Sequence, residues 1–349
     1  MVSRAAAIIP VTSFIVTILA LSSSALLTWG VLRLARSRGL LDHPNERSSH
    51  HIPTPRGGGT AIVLVTLITL VVLVVLGKIS WRDFSLLAVG GGAVALVGLI
   101  DDFRKLSTHL RLSVHFGAGV WAMLCLDGLA PIQIGDLTIS LGWAGYPLGV
   151  LGIVWCINLF NFMDGIDGLA CSEGAFFAIG GVLLLGSNDL STGVALMGWA
   201  LGGACLGFMV WNWPPARIFL GDVGSGFLGY FLVCLALIMA RDCPIALFVF
   251  VILGAIFVVD ATVTFLRRIA RGERYDVGHR THGYQRLARR WGSHLPVTLS
   301  VWAVNLGILF PAAGWSVRNP SWAAYVAASV LVLLTGVAVI VGSGRQEEA

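Results

Sequence analysis

Asp101 and Asp102 stand side by side directly after an apolar run that ends at Ile100. Two carboxylates where a hydrophobic segment meets water can share a metal ion or divide acid and base work. The structural alternative is a surface turn closed by an Asp101–Lys105 pair at i, i+4, worth about 0.3–0.5 kcal/mol. A second set recurs at every third residue: Asn158, Asn161, Asp164 and Asp167, in Asn-Leu-Phe-Asn-Phe-Met-Asp-Gly-Ile-Asp-Gly-Leu. That period lines four amide or carboxylate groups along one wall if the helix tightens toward 3₁₀ geometry. Gly165 and Gly168 loosen the chain there and admit close approach by a ligand. A merely solvated helix end would not need such regular polarity beside Phe160, Phe162 and Met163.

Asp222 lies among glycines in Phe219-Leu220-Gly221-Asp222-Val223-Gly224-Ser225-Gly226, just before an apolar segment. Helix N-terminal amides at such a place favour a phosphate, and a plain Asp N-cap is the bland reading. No Gly-Lys-Ser/Thr follows and no strand precedes, so neither a P-loop nor a dinucleotide fingerprint is present. Segment 267–295 carries eight arginines against Glu273 and Asp276 and contains His279-Arg280-Thr281-His282. Arginine forks suit diphosphate oxygens, although juxtamembrane arginines also serve topology and anionic-lipid contact. His279 and His282 lack nearby cysteines and make a poor zinc site. Asp260 lies inside an apolar segment, where an ionisable group is a functional candidate by default; an Arg267 or Arg268 partner is the structural alternative. The loop from Leu41-Asp42-His43 through His50, His51 and Pro53-Thr54-Pro55-Arg56-Gly57-Gly58-Gly59 is too punctuated by Pro and Gly for a helix and reads as a folded-over, ligand-contacting loop or a connector.

The elements that must hold these groups are membrane spans. Hydrophobic residues make up 56% and charged residues 12% of the 349, with a mean hydropathy of +0.85, against roughly 45–50% and 25% in soluble domains. A span needs about 20 apolar residues, and such runs recur near 8–31, 58–76, 84–100, 112–130, 144–162, 172–187, 191–211, 223–240, 244–266, 296–313 and 322–342. The expectation is an all-α integral membrane protein of about eleven transmembrane helices, residues 1–349 forming a single polytopic domain. The first run is too long for a signal-peptide core and reads as a retained helix. The six cysteines are scattered without CxxC spacing, which indicates neither a disulfide framework nor a zinc site.

With the N-terminus outside, 18 of the 23 Lys and Arg fall in inward loops. The positive-inside rule then places the C-terminus in the cytoplasm. The net charge of +5 follows from this topology and calls for no nucleic-acid partner. The polar chemistry concentrates in inward segments near 33–58, 101–111, 158–173, 212–226 and 267–295, so the site is expected to face the cytoplasm from the inner membrane.

Taken together, Asp-Asp-Phe-Arg-Lys at 101–105, the Asn158 to Leu169 run, Gly221-Asp222-Val223-Gly224-Ser225 and His279 to His282 resemble the polyprenyl-phosphate N-acetylhexosamine-1-phosphate transferases of glycosyltransferase family 4. The resemblance covers nearly the whole chain, in order. The peptidoglycan translocase of that superfamily has a Lys before the Pro-Thr of the first loop and consecutive histidines in the last large one. Here Ile52 precedes Pro53, and Arg280-Thr281 separates the histidines, so the chain looks more like the WecA-type and O-antigen-initiating group.

The resemblance implies transfer of a sugar 1-phosphate from a UDP-N-acetylhexosamine to undecaprenyl or another polyprenyl phosphate, and the expected route is direct attack by the acceptor phosphate on the sugar-linked phosphorus, releasing UMP with no covalent intermediate. It implies Mg²⁺, for which Mn²⁺ could substitute, with Asp222 as principal ligand and Asn161 as a second oxygen donor. Asp101 and Asp102 would orient or deprotonate the acceptor phosphate. Lys105, Asp164 and Asp167 would surround the nucleotide and diphosphate, with Arg280, His279 and His282 near phosphate or sugar. Asn158 and Asp260 join them as candidate substrate-binding groups, and a homodimer is compatible with such a chain. An ion-coupled transporter is the competing reading; it would place acids near mid-membrane between broken helices.

Overall fold

The computed structural model describes residues 10–39, 41–42, 52–186, 190–243, 245–274 and 279–346. His43, His50 and His51 of the first loop, and Asp276, lie outside the described residues. The helices are α1 (Val11–Ser37), α2 (Thr60–Val75), α3 (Trp81–Phe103), α4 (Thr108–Leu126), α5 (Gly145–Met163), α6 (Leu169–Leu183) and α7 (Gly193–Asn212). After them come α8 (Gly221–Asp242), α9 (Leu247–Leu253), α10 (Ala255–Ala270), the short α11 (Gly283–Trp291), α12 (Leu295–Arg318) and α13 (Ala323–Val341). Two small antiparallel ladders break the all-α expectation: β1 (Leu41–Asp42) with β2 (Thr54–Pro55), and the hairpin of β3 (Ile132–Ile134) and β4 (Leu137–Ile139).

Each of the eleven expected spans falls on helix. By length and composition seven described helices can cross a membrane, and the α9–α10 pair would make an eighth. Of the other three, α2 and α6 have 16 and 15 residues, short of the roughly 20 a full crossing takes. The third, α4, carries Arg111 and His115 in its first half. The chain is thus a multi-pass membrane protein, with seven or eight of the eleven expected crossings meeting these criteria among the described residues. The single span expected near 244–266 is also corrected: α9 and α10 meet at a 75° bend. Gly254 sits at that joint outside helical geometry, at φ −90° and ψ 8°.

Nearly every residue of α8 is buried, including Phe227, Tyr230 and Phe231, so the other helices are arranged around it. Its partner α3 contains a π-turn at Leu86–Gly90, which spoils the local hydrogen-bond ladder. The Tyr230 hydroxyl donates to the Leu86 carbonyl at 2.9 Å and satisfies it. On the far side, α1 packs against α7 through small and hydroxylated residues, as expected where lipid removes any hydrophobic drive between helices. Ser24 donates to the Ala204 carbonyl at 2.7 Å, while Phe14, Leu19 and Leu26 remain exposed on the opposite, lipid-facing side.

A Cβ placed on Gly207 would press into the Leu21 backbone, 2.9 Å from its carbonyl carbon. Gly207→Val is therefore expected to destabilise the α1–α7 contact by about 1–3 kcal/mol. The measurement is the melting temperature of the detergent-solubilised protein, and an unchanged value would show that α1 does not dock here.

Candidate active site

Asp222 occupies the first turn of α8, where the chain enters the helix through Gly221 at φ +77°. The free amides of that turn do not face water. Asp102, at the end of α3, accepts from the Asp222 amide at 2.9 Å and from the Val223 amide at 3.1 Å, capping α8 from another helix. Gly98, one turn earlier on α3, permits this approach, because a Cβ there would lie 2.7 Å from the Val223 nitrogen.

Two arginines close the cluster. Arg56 reaches Asp102 Oδ1 with Nε and Asp222 Oδ1 with Nη2, both at 2.8 Å. Its loop is fixed by backbone bonds to the segment before α8: Phe219 donates to the Pro55 carbonyl, Gly58 to Phe219 and Gly59 to Leu220. Burial works against the Arg56 charge, yet Asp222 and Asp102 outweigh it and hold the guanidinium more firmly protonated than usual. Arg111, in the first turns of α4, bonds Asp101 Oδ2 at 2.8 Å and approaches Asp222 Oδ2 at 3.4 Å. The other oxygen of Asp101 accepts from the Leu106 amide at 2.6 Å. From α5, Asn161 donates to Asp222 Oδ1 at 3.0 Å and to Ser225 Oγ at 3.1 Å.

Two cavities adjoin this cluster, and a third adjoins the second of them. One of about 610 Å³ runs from Asp222, Asn161 and Asp164 past His115 and Asn158 to an apolar wall that includes Phe116, Leu151, Trp155 and Phe265. A polar one of about 250 Å³ shares Asn161, Asp164 and Asp222 with it and adds Arg56, Asp167 and His294. A third, about 700 Å³, shares Asp167, Phe219 and His294 with the second and is lined also by Arg280, Arg289, Pro214 and Pro215. Carboxylates and arginines therefore lie where an apolar channel meets a polar cleft.

A model of glycosyl transferase family 4 matches residues 84–240, which include Asp101, Asp102, Asn161 and Asp222. A probable undecaprenyl-phosphate N-acetylglucosaminyl 1-phosphate transferase of Bacillus subtilis (strain 168) is 30% identical over 84% of this chain and 82% of its own. The chain belongs to family 4. Within it, a decaprenyl-phosphate N-acetylglucosaminephosphotransferase of Mycolicibacterium smegmatis is 30% identical over 97% of this chain and 88% of its own. A phospho-N-acetylmuramoyl-pentapeptide-transferase of Symbiobacterium thermophilum is 32% identical over 64% and 73%.

The family 4 motifs do not all converge as the sequence suggests. The 3₁₀ wall is a correction: α5 stays α-helical to Met163 and ends at Asp164, because the glycines that follow release the chain into a turn, with Gly168 at φ +74°. Asn158, Asn161 and Asp164 still line the cavity of about 610 Å³. Asp167 turns toward the polar one, accepting from the Ala216 amide at 3.0 Å, with His294 Nδ1 3.2 Å from the same oxygen. Burial pushes the Asp164 carboxyl well above the usual range; Arg56 opposes the shift, and Asp222, Asp102 and Asp167 reinforce it.

Lys105 is exposed and lines none of the three cavities, and Asp101 takes Arg111 as its ionic partner instead. Asp260 pairs with neither Arg267 nor Arg268 here; it accepts from the Gly283 and Tyr284 amides at 2.8 and 3.0 Å and caps α11. That cap, with the Tyr284 hydroxyl bonded to the Phe162 carbonyl at 2.9 Å, holds the histidine segment against the end of α5. His279 and His282 stack with centroids 4.9 Å apart on the wall of the first cavity, while Arg280 faces the third. Burial lowers both histidines, His279 to about 3, so both are neutral at pH 7. Sequence reasoning missed Arg56, Arg111, His115, Ser225 and His294 as site residues. Only the run of glycines after Arg56 hinted that its loop needs close backbone approach.

Proposed function

We propose that the protein transfers an N-acetylhexosamine 1-phosphate from a UDP-sugar to a polyprenyl phosphate, releasing UMP, at the cytoplasmic face of the inner membrane. The reaction would start a lipid-linked cell-envelope glycan such as O-antigen. The observation that carries the reading is Asp222, bridged by Arg56 and Arg111 at the junction of an apolar channel and a polar cleft. A lipid-borne phosphate and a soluble nucleotide sugar require such a junction. The names of the relatives support it, and those covering most of the chain point to N-acetylglucosamine as the sugar. The bias of Lys and Arg toward the segments of this site supports the cytoplasmic orientation.

In this reading the apolar wall seats the isoprenoid chain beside Phe116 and Trp155. Arg56 and Arg111 offset the repulsion between two phosphates as they approach. The neutral histidines orient the sugar by hydrogen bonding, and Arg280 and Arg289 border the cleft that takes the nucleotide. Asp222 and the Asn161 side chain offer oxygen atoms suited to Mg²⁺, a hard cation held by one or two carboxylates with substrate phosphates filling the remainder. Among the described residues no group of three or more His, Cys, Asp or Glu is placed to hold a metal, so substrate oxygens would complete the coordination. When bound, the ion would withdraw charge from the phosphates. The acceptor oxygen attacks phosphorus directly; trapping a phosphorylated aspartate during turnover would refute this.

Nothing supports the transporter reading. Asp260, which lies in α10 of the bent α9–α10 pair, is occupied by the amides of α11. The deciding experiment uses purified protein, undecaprenyl phosphate, Mg²⁺ and a panel of UDP-N-acetylhexosamines, with UMP release as the readout. UMP release that EDTA abolishes and Mg²⁺ restores is expected, and no release with any donor would overturn the proposal.

A further inference from the structure

We infer that Asp102 is a positioning residue that sets the direction of Asp222, and that it does not act as the acid–base partner of the acceptor phosphate. The inference rests on the transferase reading above and assigns a role within it.

Both oxygens of Asp102 are already engaged. Oδ1 accepts from the Asp222 amide and faces Arg56 Nε at 2.8 Å, and Oδ2 accepts from the Val223 amide. The side chain is 2% exposed, against 18% for Asp222. A general base must come within about 2.6–3.2 Å of the proton it takes, directly or through one water. Asp222 and Asp164 line the cavities around the cluster; Asp102 lines none of the three.

The backbone on both sides is shaped for this contact. Gly221, at φ +77°, has Asp102 where its side chain would stand, with Cγ 3.1 Å from a Cβ built there. Gly98 leaves room for the Asp222–Val223 peptide to approach α3. The carboxylate supplies the acceptors that the first turn of α8 lacks, and the same group fixes the Arg56 fork that also grips Asp222. The first turn of α8 and the guanidinium facing Asp222 are thus registered by one side chain from α3.

The test compares Asp102→Asn with Asp102→Ala in the full-length protein. One readout is UMP release across pH, and the other is amide hydrogen exchange of the peptide containing Asp222 and Val223, measured without metal or substrate. An asparagine keeps one acceptor oxygen for the helix amides, so its activity should fall no more than about tenfold, with the acid limb of the pH profile in place. Alanine should lose more activity than asparagine and speed exchange at Asp222 and Val223 beyond the asparagine variant.

A general base would give a different pattern. Asparagine would then lose about 10²–10⁴-fold, as much as alanine, with wild-type exchange in both, and that result overturns the inference. If the alanine variant does not fold, the size of the asparagine loss and its pH profile decide alone. If the wild type releases no UMP, the transferase reading fails, whereas the exchange comparison still tests the cap.

Discussion

Asp222→Ala is expected to lower UMP release by about a thousandfold or more, with little change in the melting temperature. Removing a charged group that acts on the reacting phosphates typically costs several kcal/mol of transition-state stabilisation. Asp222 receives Arg56, Arg111 and Asn161, so its loss undoes the point on which three other elements converge. The helix itself should survive, because its cap is Asp102 and Asp102 remains. Single-turnover kinetics at saturating donor separates this from a binding defect: the fall should appear in kcat. Full activity in this variant would remove the basis of the proposed site.

Arg56→Met is expected to be nearly as damaging for a different reason. It would leave Asp102, 2% exposed, without its ionic partner. Uncovering a buried charge costs about 3–5 kcal/mol; since Arg56 itself is 37% exposed, the lower end, about 3 kcal/mol, is expected. Both stability and activity should fall, the latter by about a hundredfold. Arg56→Lys should recover stability better than activity, because one ammonium cannot span Asp102 and Asp222 as a planar fork does. The check is a pair of melting curves set beside UMP release for the two variants. Equal behaviour of Met and Lys would show that the fork is irrelevant.

The candidate site was partly legible before folding. Asp222, Asn161 and Asp164 do meet at one cavity, and their motifs announce it through polarity inside apolar surroundings. Arg56 and Arg111 were not singled out, since a lone arginine beside a span is indistinguishable from a topological one. The spacing of Asn158 to Asp167 pointed to the right segment but the wrong local geometry. Glycine-induced termination of α5 competes with helix tightening, and the period alone does not choose between them. Asp260 was visible as an anomaly, and its partners were not, because backbone amides leave no trace in residue type.

By itself, the sequence determined the membrane class, the segments that carry the chemistry and the family resemblance. These depend on apolar run length, charge placement and short motifs, all local along the chain. Only the tertiary structure decided which carboxylate faces the cleft and which caps a helix. Asp102 meets α8 across 120 residues and Arg56 meets Asp222 across 166. Such contacts arise from the packing of whole helices, in which glycines let two backbones close to bonding distance, and no local pattern records which helix ends will meet.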